Sequence, residues 1–217
     1  MQDRPTMNNK IVLDIQHLTL SYGEKALFTD FSLQLHQGEI ICIAGPSGCG
    51  KTSLLGAILG FTPIQSGRIL LNELELKRDT IDAFRREIAW IPQELALPIE
   101  WVKEMVQLPF GLKANRNTPF DERDLLICFE QLGLEKSLYY KRVNEVSGGQ
   151  RQRMMIAVAS MLKKSLTIVD EPTSALDSES THLVVKFLEN ITKRGGGVLA
   201  VSHDQSFCDG CHKIVSL

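Results

Sequence analysis

The sequence of 217 residues lacks any apolar run that approaches the roughly 20 residues of a membrane-spanning helix. Its first ten residues are polar and lack the apolar core of a secretory signal peptide. These two absences predict a cytoplasmic protein with no membrane span of its own. Any role at a membrane would then have to come through a partner.

An excess of charge of one sign is also missing. The chain has 24 Lys and Arg against 26 Asp and Glu, a formal net charge of −2, and no long basic run. Because proteins that bind nucleic acid usually carry a basic patch, we expect no nucleic-acid partner. With 43% hydrophobic and 23% charged residues the composition is globular. The length suits one domain with an inserted subdomain, or two small lobes.

Cysteine is present in small number and in one suggestive pattern. In a cytoplasmic protein the thiols are expected to be reduced. Cys208 and Cys211 precede His212 in a C-x-x-C-H pattern, which is typical of haem attachment in exported proteins. Because no export signal is seen, two interpretations stay open beside haem: a zinc or redox site, and two ordinary thiols. The five cysteines are Cys42, Cys49, Cys128, Cys208 and Cys211.

The most informative stretch that is present is GPSGCGKT at residues 45–52, which fits the P-loop pattern G-x-x-x-x-G-K-[ST]. An apolar, β-branched run precedes it and a helical segment follows it, which is the context that a P-loop requires. Glycines let the main chain approach an anion closely, and the helix N-terminus adds positive charge. Lys51 would supply a mobile cation for the β- and γ-phosphates, and Thr52 a hydroxyl for Mg²⁺. The predicted nucleotide-binding residues here are Gly45, Pro46, Ser47, Gly48, Cys49, Gly50, Lys51, Thr52 and Ser53.

Periodicity divides the rest of the chain into a β-rich start, a helical middle and an alternating end. Residues 11–20 and 26–35 are β-rich and joined by a turn, which predicts an antiparallel sheet beside the nucleotide fold. Residues 101–112 and 121–132 have helical apolar spacing, with a polar loop between them. A further helix is expected to begin at Ser147, a residue type that caps helices.

Polar residues follow two predicted strands, at 166–169 and 198–201. Asp170 and Glu171 come after the first strand, and His203 comes after the second. In open α/β sheets, ligands bind at this carboxyl edge. One carboxylate there can hold hydrated Mg²⁺, and the next can polarise an attacking water. Taken singly, these residues also fit surface acids and a structural histidine, and Tyr22 fits a turn tyrosine as well as an aromatic that stacks on a base.

In combination, these motifs resemble the nucleotide-binding subunits of ABC transporters over nearly the whole chain. Residues 146–150, VSGGQ, are similar to the family signature L-S-G-G-Q. The other motifs stand in the family's order: the P-loop, Gln93 at the Q-loop, residues 170–171 at Walker B, residues 174–177 at the D-loop, and His203 at the switch histidine. The departures are mild: Val146 replaces Leu, Thr167 interrupts the Walker B run, and Ser202 stands where Thr is frequent. None removes a catalytic group, so we expect an active ATPase.

The resemblance implies an α/β fold with a RecA-like P-loop NTPase core, an antiparallel β subdomain and an inserted α-helical subdomain. Residues 1–217 would form a single ABC ATPase domain. The core and β subdomain would occupy 10–93 and 163–217, and the helical subdomain 94–162. The resemblance also implies a head-to-tail homodimer in the ATP-bound state, a separate integral membrane permease as partner, and a peripheral position on the inner face of the cell membrane.

The resemblance further implies ATP and Mg²⁺ as cofactors and assigns roles to individual residues. Glu171 would orient or deprotonate the attacking water, His203 would hold the γ-phosphate, and Lys51 would bind the phosphates. Ser147 and its neighbours would contact ATP from the second copy. The implied metal ligands are Thr52, Gln93 and Asp170, and the implied nucleotide contacts beyond the P-loop are Tyr22, Gln93, Ser147, Gly148, Gly149 and Gln150.

The transported substrate is a finer question. Residues 108–110, 113–116 and 144–145 are similar to those of bacterial subunits of the iron-export type, which suggests a metal exporter. Lipoprotein-release and macrolide-export subunits, and a cell-division type that regulates a membrane complex without classical transport, are the alternatives.

An apolar stretch after Gln93 predicts the surface on which the permease would dock, with Trp101 as its anchor. The alternative is that these side chains pack inside the helical subdomain. They are Leu95, Leu97, Ile99, Trp101 and Val102.

Overall fold

A computed structural model describes residues 10–23, 25–94 and 98–217, apart from the side chains of Tyr22 and Lys25. As the sequence predicts, this part of the chain is β-rich at its start and helical in its middle, and strands and helices alternate towards its end. The strands are β1 Ile11–Tyr22, β2 Lys25–His36, β3 Ile40–Ala44, β4 Ser66–Leu71, β5 Leu74–Glu75, β6 Ile88–Ile91, β7 Leu166–Asp170, β8 Gly197–Val201 and β9 Lys213–Ser216. The α-helices are α1 Lys51–Ile58, α2 Ile81–Arg86, α3 Val102–Gln107, α4 Glu122–Gln131, α5 Gly148–Leu162, α6 Ser178–Lys193 and α7 Gln205–Asp209.

The predicted antiparallel sheet is present, with strand order β2-β1-β4-β5. Leu13 and Ile15 of β1 are buried, and the buried positions then shift to Leu18 and Leu20. The shift follows from a bulge at His17, whose φ is +50° and where the register with β2 and β4 changes. One extra residue moves the inward face from odd to even positions, which explains why β1 alternates only in part.

The central sheet is parallel, with strand order β6-β7-β8-β3-β9. Its inner strands are apolar along their whole length because both faces are covered: every residue of β8 is buried. On one face Cys42 and Ala200 pack with α5 and α6, and on the other Ile41 and Leu199 pack with α1 and the antiparallel sheet. This arrangement confirms the predicted α/β fold with a RecA-like core.

The middle of the chain is helical but less regular than its spacing predicts. A helix over residues 101–112 was expected, whereas α3 ends at Gln107 and continues as a 3₁₀ turn, Leu108–Gly111. Pro109 explains the difference, because it has no N–H for an α-helical bond and its ring excludes the preceding turn. The segment predicted as a loop contains a short 3₁₀ turn, Lys113–Asn115. Buried Asn115 fixes that turn by donating to the Pro109 carbonyl over 2.8 Å.

The sequence interpretation missed the last two elements, α7 and β9. It took residues 198–201 as the final strand, yet β9 follows and pairs in parallel with β3. The four residues of β9 are exposed or half-buried, so they carry little of the apolar signal of a buried strand. Because β9 pairs with β3, the helix α7 that precedes β9 lies beside β3, the strand that leads into the P-loop.

Candidate functional site

The P-loop connects β3 to α1 at the carboxyl edge of the parallel sheet. Gly48 and Gly50 have φ of +80° and +106°, angles that favour glycine over residues with a side chain. Gly45 is required for a different reason. A Cβ at this position would lie 2.8 Å from Cys49 Sγ and 3.1 Å from the Leu217 carbonyl oxygen. The loop therefore turns tightly and presents its main chain where α1 begins, with no acidic residue in the first turn of that helix.

Lys51 lies at the start of α1, and its side chain folds back over the loop. Nζ donates hydrogen bonds to the carbonyl oxygens of Gly45, at 2.7 Å, and Pro46, at 3.0 Å. Cys49 Sγ is 4.0 Å from the same nitrogen. The ammonium group is thus held at the loop, where it can transfer from carbonyl oxygens to phosphate oxygens by rotation about its stem.

The ends of β7 and β8 bring the predicted acids and the histidine together. Glu171 Oε2 is 2.9 Å from His203 Nδ1, and the Glu171 side chain is only 11% exposed. Glu171 has φ of +48°, an unusual angle for a residue with a side chain, and its N–H donates to the Val201 carbonyl at 2.8 Å. Such backbone strain, fixed by the neighbouring strand, is common where a side chain must be aimed at a site.

Asp170, the last residue of β7, has a carboxyl group whose pKa is subject to opposing effects. Burial raises its pKa, the negative charge of Glu171 raises it further, and the positive charge of Lys51 lowers it. The Lys51 contribution shows that this carboxyl and the P-loop cation share one electrostatic environment. A bound divalent cation would favour the ionised carboxylate in the same way and more strongly.

A cavity of about 730 Å³ joins these features. Its volume lies in the range of nucleotide and cofactor sites. Leu27 and Val201 also line it, and neither was singled out from the sequence. Cys49 does not line this cavity, and the side chain of Tyr22 lies outside the described part of the chain. The predicted residues that line it are Gly45, Pro46, Ser47, Gly48, Gly50, Lys51, Thr52, Ser53, Gln93, Asp170, Glu171 and His203.

The signature residues lie at a second cavity, of about 370 Å³, formed by the start of α5 and the loop after β7. Gly148 and Gly149 line this cavity, and Gln93 lines both. Ser147 is the N-cap of α5, as predicted: its Oγ accepts from the Gln150 N–H at 3.1 Å. The Gln150 side chain accepts from the Ser147 N–H at 2.9 Å and completes a capping box. One copy of the chain therefore does not bring the signature residues into the P-loop cavity.

Two arginines that sequence reasoning passed over hold the signature helix in place. Arg151 Nη1 donates to the carbonyl oxygens of Val143 and Val146, at 3.1 and 2.8 Å. Arg153 Nη1 donates to the Leu132 carbonyl at 2.9 Å, and burial lowers the Arg153 pKa. The sequence signal for this role was the repeat Q-R-Q-R after the signature glycines. Two arginines at positions i and i+2 point to different sides of a helix start, where their long side chains can reach backbone carbonyls.

The apolar stretch after Gln93 differs from the sequence expectation. Val102 is fully buried, which makes it a core residue. Trp101 is half-buried, with Arg142 at 5.1 Å and Lys103 at 5.7 Å from its ring centroid, so only part of its ring is free for a partner. Ile99 packs against the core, and Leu95 and Leu97 lie outside the described residues. The alternative of packing inside the helical region is therefore correct for Val102.

Exposed aromatic surface is found instead on the other side of Gln93. Phe61 and Trp90 are 58% and 43% exposed, and their ring centroids lie 5.7 Å apart. The Arg85 guanidinium stacks on Phe61 at 4.6 Å. Trp90 is in β6, three residues before Gln93. The sequence contained a signal for the exposure of Trp90. This residue lies between Ala89 and Ile91 in a short strand, where neighbouring side chains face opposite sides, and those two residues are buried.

The C-x-x-C-H pattern does not form a haem or metal site in the described residues. Cys208 is buried, and His212 Nδ1 accepts a hydrogen bond from the Ile40 N–H at 3.0 Å. No group of three or more His, Cys, Asp or Glu side chains in residues 10–23, 25–94 and 98–217 could hold a metal ion. Haem attachment needs two thiols that can react with the haem, whereas Cys208 is buried and Cys211 is half-buried, so the described residues favour the interpretation of ordinary thiols.

The sequence is similar to those of known ATP-binding proteins of ABC transporters. Residues 28–174 match the family model described as ABC transporter. The chain is 34% identical over 214 residues to the ABC transporter ATP-binding protein YtrE of Bacillus subtilis, with 89% of each chain covered. It is 31% identical to the manganese transport system ATP-binding protein MntB of Listeria innocua, covering 88% of this chain and 80% of that protein. It is 34% identical to the spermidine/putrescine import ATP-binding protein PotA of Mesoplasma florum but spans only 56% of its length.

The fold has close counterparts among solved structures. The dimeric structure of MJ0796, a bacterial ABC transporter cassette, is 26% identical, with a TM-score of 0.79 and 94% of each chain covered. The same cassette is solved in a post-hydrolysis state bound to ADP and Pi. In the described part of the present chain, no helix is both long and apolar enough to cross a membrane.

Proposed function

Because this chain belongs to the ABC transporter family and is an ATP-binding subunit with ATPase activity, we propose that two copies enclose ATP between them and drive a substrate through a separate membrane permease. The observation that carries the proposal is the division of the site. The P-loop and strand-end residues line one cavity, while Gly148 and Gly149 line another. A second copy, turned head to tail, would bring its signature residues to the open side of the P-loop cavity. The dimeric MJ0796 structure supports this arrangement.

In the proposed site, the P-loop and Lys51 bind the phosphates. Glu171 lies beside His203 and is aimed at the cavity, so it can accept a proton from the attacking water while His203 contacts the γ-phosphate. Phosphoryl transfer of this kind depends on positioning and on charge stabilisation.

Mg²⁺ fits the residues that line the cavity. The ion prefers oxygen ligands, keeps several waters and is usually held by one or two side chains together with phosphates. Thr52, Gln93 and Asp170 offer a hydroxyl, an amide oxygen and a carboxylate along one side of the cavity. When bound, the ion would neutralise charge on the phosphate oxygens.

The contribution of the second copy follows from the charge of α5. A helix of 15 residues with no acidic residue in its first turn has a positive N-terminus. Gly148 is exposed and has no side chain to cover the helix start, which leaves the first N–H groups accessible to an anion. Placed against the γ-phosphate, this helix end makes ATP favour the dimer more than ADP does.

We test the divided site with Gly148→Asp. A side chain here meets open space, since the nearest atom to an added Cβ is Arg151 Nη2 at 3.9 Å. A carboxylate in the first helical turn also suits the helix dipole, so the fold should remain stable. It would, however, repel the γ-phosphate held by the other copy. We expect the Gly148→Asp monomer to bind ATP as the wild type does. Its ATP turnover should fall at least tenfold, which corresponds to an activation barrier raised by about 1.4 kcal/mol. The neutral isostere Gly148→Asn is the control for size, and full turnover by Gly148→Asp would refute the proposal.

A permease partner would place the chain at the inner face of the cell membrane. We propose that residues 94–162 form the helical subdomain. It would transmit the nucleotide state from Gln93, which precedes it, to that partner. Trp90 lies three residues before Gln93 in the chain, and its exposed pair with Phe61 offers aromatic contact area at low entropy cost. It therefore replaces Trp101 as the proposed docking anchor.

For the substrate, we propose a metal ion moved outward. The similarity of residues 108–110, 113–116 and 144–145 to iron-export-type subunits supports this choice, and a manganese transport protein is among the relatives. Transport assays with the permease partner identified from native membranes would test it. Stimulation of ATP turnover by iron or manganese is expected, whereas stimulation by a macrolide or a lipoprotein would overturn the assignment.

A further inference from the structure

Three thiols form a cluster outside the nucleotide cavity. Cys42 lies in β3, Cys208 in α7, and Cys211 just after that helix. The sulfur atoms of Cys42 and Cys208 are 3.2 Å apart, although 166 residues separate them in the chain. Cys211 is half-buried, and its thiol donates to the Phe207 carbonyl at 3.3 Å. A disulfide has sulfur atoms about 2.05 Å apart, so a movement of about 1.2 Å would join Cys42 to Cys208.

The two nearest thiols belong to elements that lead into the site. Cys42 precedes Gly45 of the P-loop by three residues, and Cys208 follows His203 by five. A bond between them would tie the helix after His203 to the P-loop strand. A zinc centre, another alternative for this motif, has no support in the described residues, where no group of three or more His, Cys, Asp or Glu side chains could hold a metal ion.

We propose that Cys42 and Cys208 are an oxidation site at which hydrogen peroxide forms a disulfide that ties α7 to the P-loop strand. One thiol takes an oxygen atom as the O–O bond breaks, giving a sulfenic acid and one water. The other thiol then attacks that sulfur, the S–O bond breaks, and a second water leaves. Two thiols and one peroxide thus give one disulfide and two waters.

The surroundings of the thiols set the rate of this reaction. Burial, with a hydrogen bond to Cys42, raises the pKa of Cys208 to about 12. A hydrogen bond with Cys211 and burial raise the pKa of Cys42 well above its ordinary range. The thiolate is the reactive form, so both groups react slowly and respond to sustained oxidant rather than to brief exposure.

The expected consequence for catalysis rests on the proposed function. His203 Nδ1 is 2.9 Å from Glu171 Oε2, and α7 begins two residues after His203. Pulling α7 by about 1 Å would displace this contact, and misplacement on that scale is costly in enzymes. We expect ATP turnover to fall at least about fivefold after oxidation and to recover with dithiothreitol. The cross-link itself does not depend on the protein being an ATPase.

The full chain is treated with millimolar hydrogen peroxide for an hour, alkylated and digested with trypsin. Cys42 and Cys208 fall in peptides 26–51 and 195–213, which also contain Cys49 and Cys211. We expect these peptides to be linked in the wild type and in Cys211→Ala, and to be unlinked in Cys208→Ala and Cys42→Ala. Cys128→Ala, which removes a buried thiol elsewhere, is the control and should behave as the wild type. The disulfide should also raise Tm by roughly 5 °C, reversibly.

A link that survives in Cys208→Ala, or oxidation confined to Cys211 with both buried thiols still reduced, would overturn the proposal. Turnover that falls equally in Cys208→Ala and the wild type would show that another thiol, such as Cys49, causes the loss, and would overturn the effect on catalysis. Cys42→Ala and Cys208→Ala should each abolish the link, so the test still holds if one of the two variants fails to fold. If the untreated protein hydrolysed no ATP, the proposed function would fail while the linked peptides and the Tm shift still tested the oxidation site.

Discussion

Gly148 and Gly149 are neighbours at the start of α5, yet a methyl group at the two positions would meet very different surroundings. At Gly149 an added Cβ would lie 2.6 Å from the Ala175 carbonyl oxygen and 2.7 Å from Leu176 Cδ2. At Gly148 the nearest atom would be Arg151 Nη2, at 3.9 Å. We therefore predict that Gly149→Ala destabilises the fold, while Gly148→Ala leaves it intact. The first glycine is free for a ligand, and the second lets the helix pack on the loop after β7.

The magnitude follows from two opposing effects. Forcing a methyl group into a packed contact costs about 1–3 kcal/mol. Alanine regains up to about 1 kcal/mol of helix propensity in a helix interior, and less in the first turn. The net loss for Gly149→Ala is then about 1–2 kcal/mol, which lowers the Tm of a chain of this size by about 2–8 °C. The propensity gain is common to both variants, so their difference isolates the contact with residues 175–176.

Thermal unfolding of the two variants, followed by circular dichroism without nucleotide, measures this difference. Gly148→Ala should unfold within about 2 °C of the wild type, since it adds no contact closer than 3.9 Å. Equal Tm values for the two variants would refute the reasoning, because they would show that the loop after β7 adapts freely to a larger residue at position 149.

The remaining predictions concern the nucleotide cavity and the partner surface. Because burial raises the folded-state pKa of Asp170, its ionisation opposes folding above pH 3.8, the unfolded value. Asp170→Asn should therefore raise Tm at pH 7 and abolish turnover, and it should give no such gain in Tm below about pH 3. Cys49 lies 4.0 Å from Lys51 Nζ, so bound ATP should protect it from alkylation by iodoacetamide, and equal labelling with and without ATP would contradict its place in the binding loop. Phe61→Asp should leave the ATPase of the isolated chain within twofold of the wild type but uncouple it from its membrane partner, and stimulation by the partner at the wild-type level would move docking elsewhere.

The site's chemistry could be predicted from sequence because its residues follow local rules. The P-loop, the acids after β7 and the histidine after β8 all stand at strand ends, and parallel strands bring their ends to one edge. Ser147 was identified as a cap because its role depends on the next three residues only. The reason for Gly45 could not be read in this way, since it depends on a contact with Leu217, which is 172 positions further along the chain.

The errors had two causes: one local signal was overlooked, and elsewhere distant packing decides the outcome. Helical spacing over residues 101–112 did not show that Pro109 ends α3, although the proline itself was the available signal. Trp101 was predicted to be the anchor if exposed, and its neighbours Arg142 and Lys103, which lie over its ring, become visible only in the folded chain. The pairing of Cys42 with Cys208 is of the same kind, because β9 was missed and with it the reason that α7 lies beside β3.

The most direct measurement is size-exclusion chromatography of Glu171→Gln with Mg-ATP, with Lys51→Ala as the control that loses productive nucleotide binding. An amide at position 171 cannot accept the proton of water, so ATP should bind and remain. We predict that Glu171→Gln elutes as a dimer of twice the 24.3 kDa chain mass with Mg-ATP and as a monomer with ADP, and hydrolyses ATP at least a hundredfold more slowly than the wild type. Elution of Glu171→Gln as a monomer in saturating Mg-ATP, or hydrolysis near the wild-type rate, would contradict a site shared between two copies with Glu171 as its base.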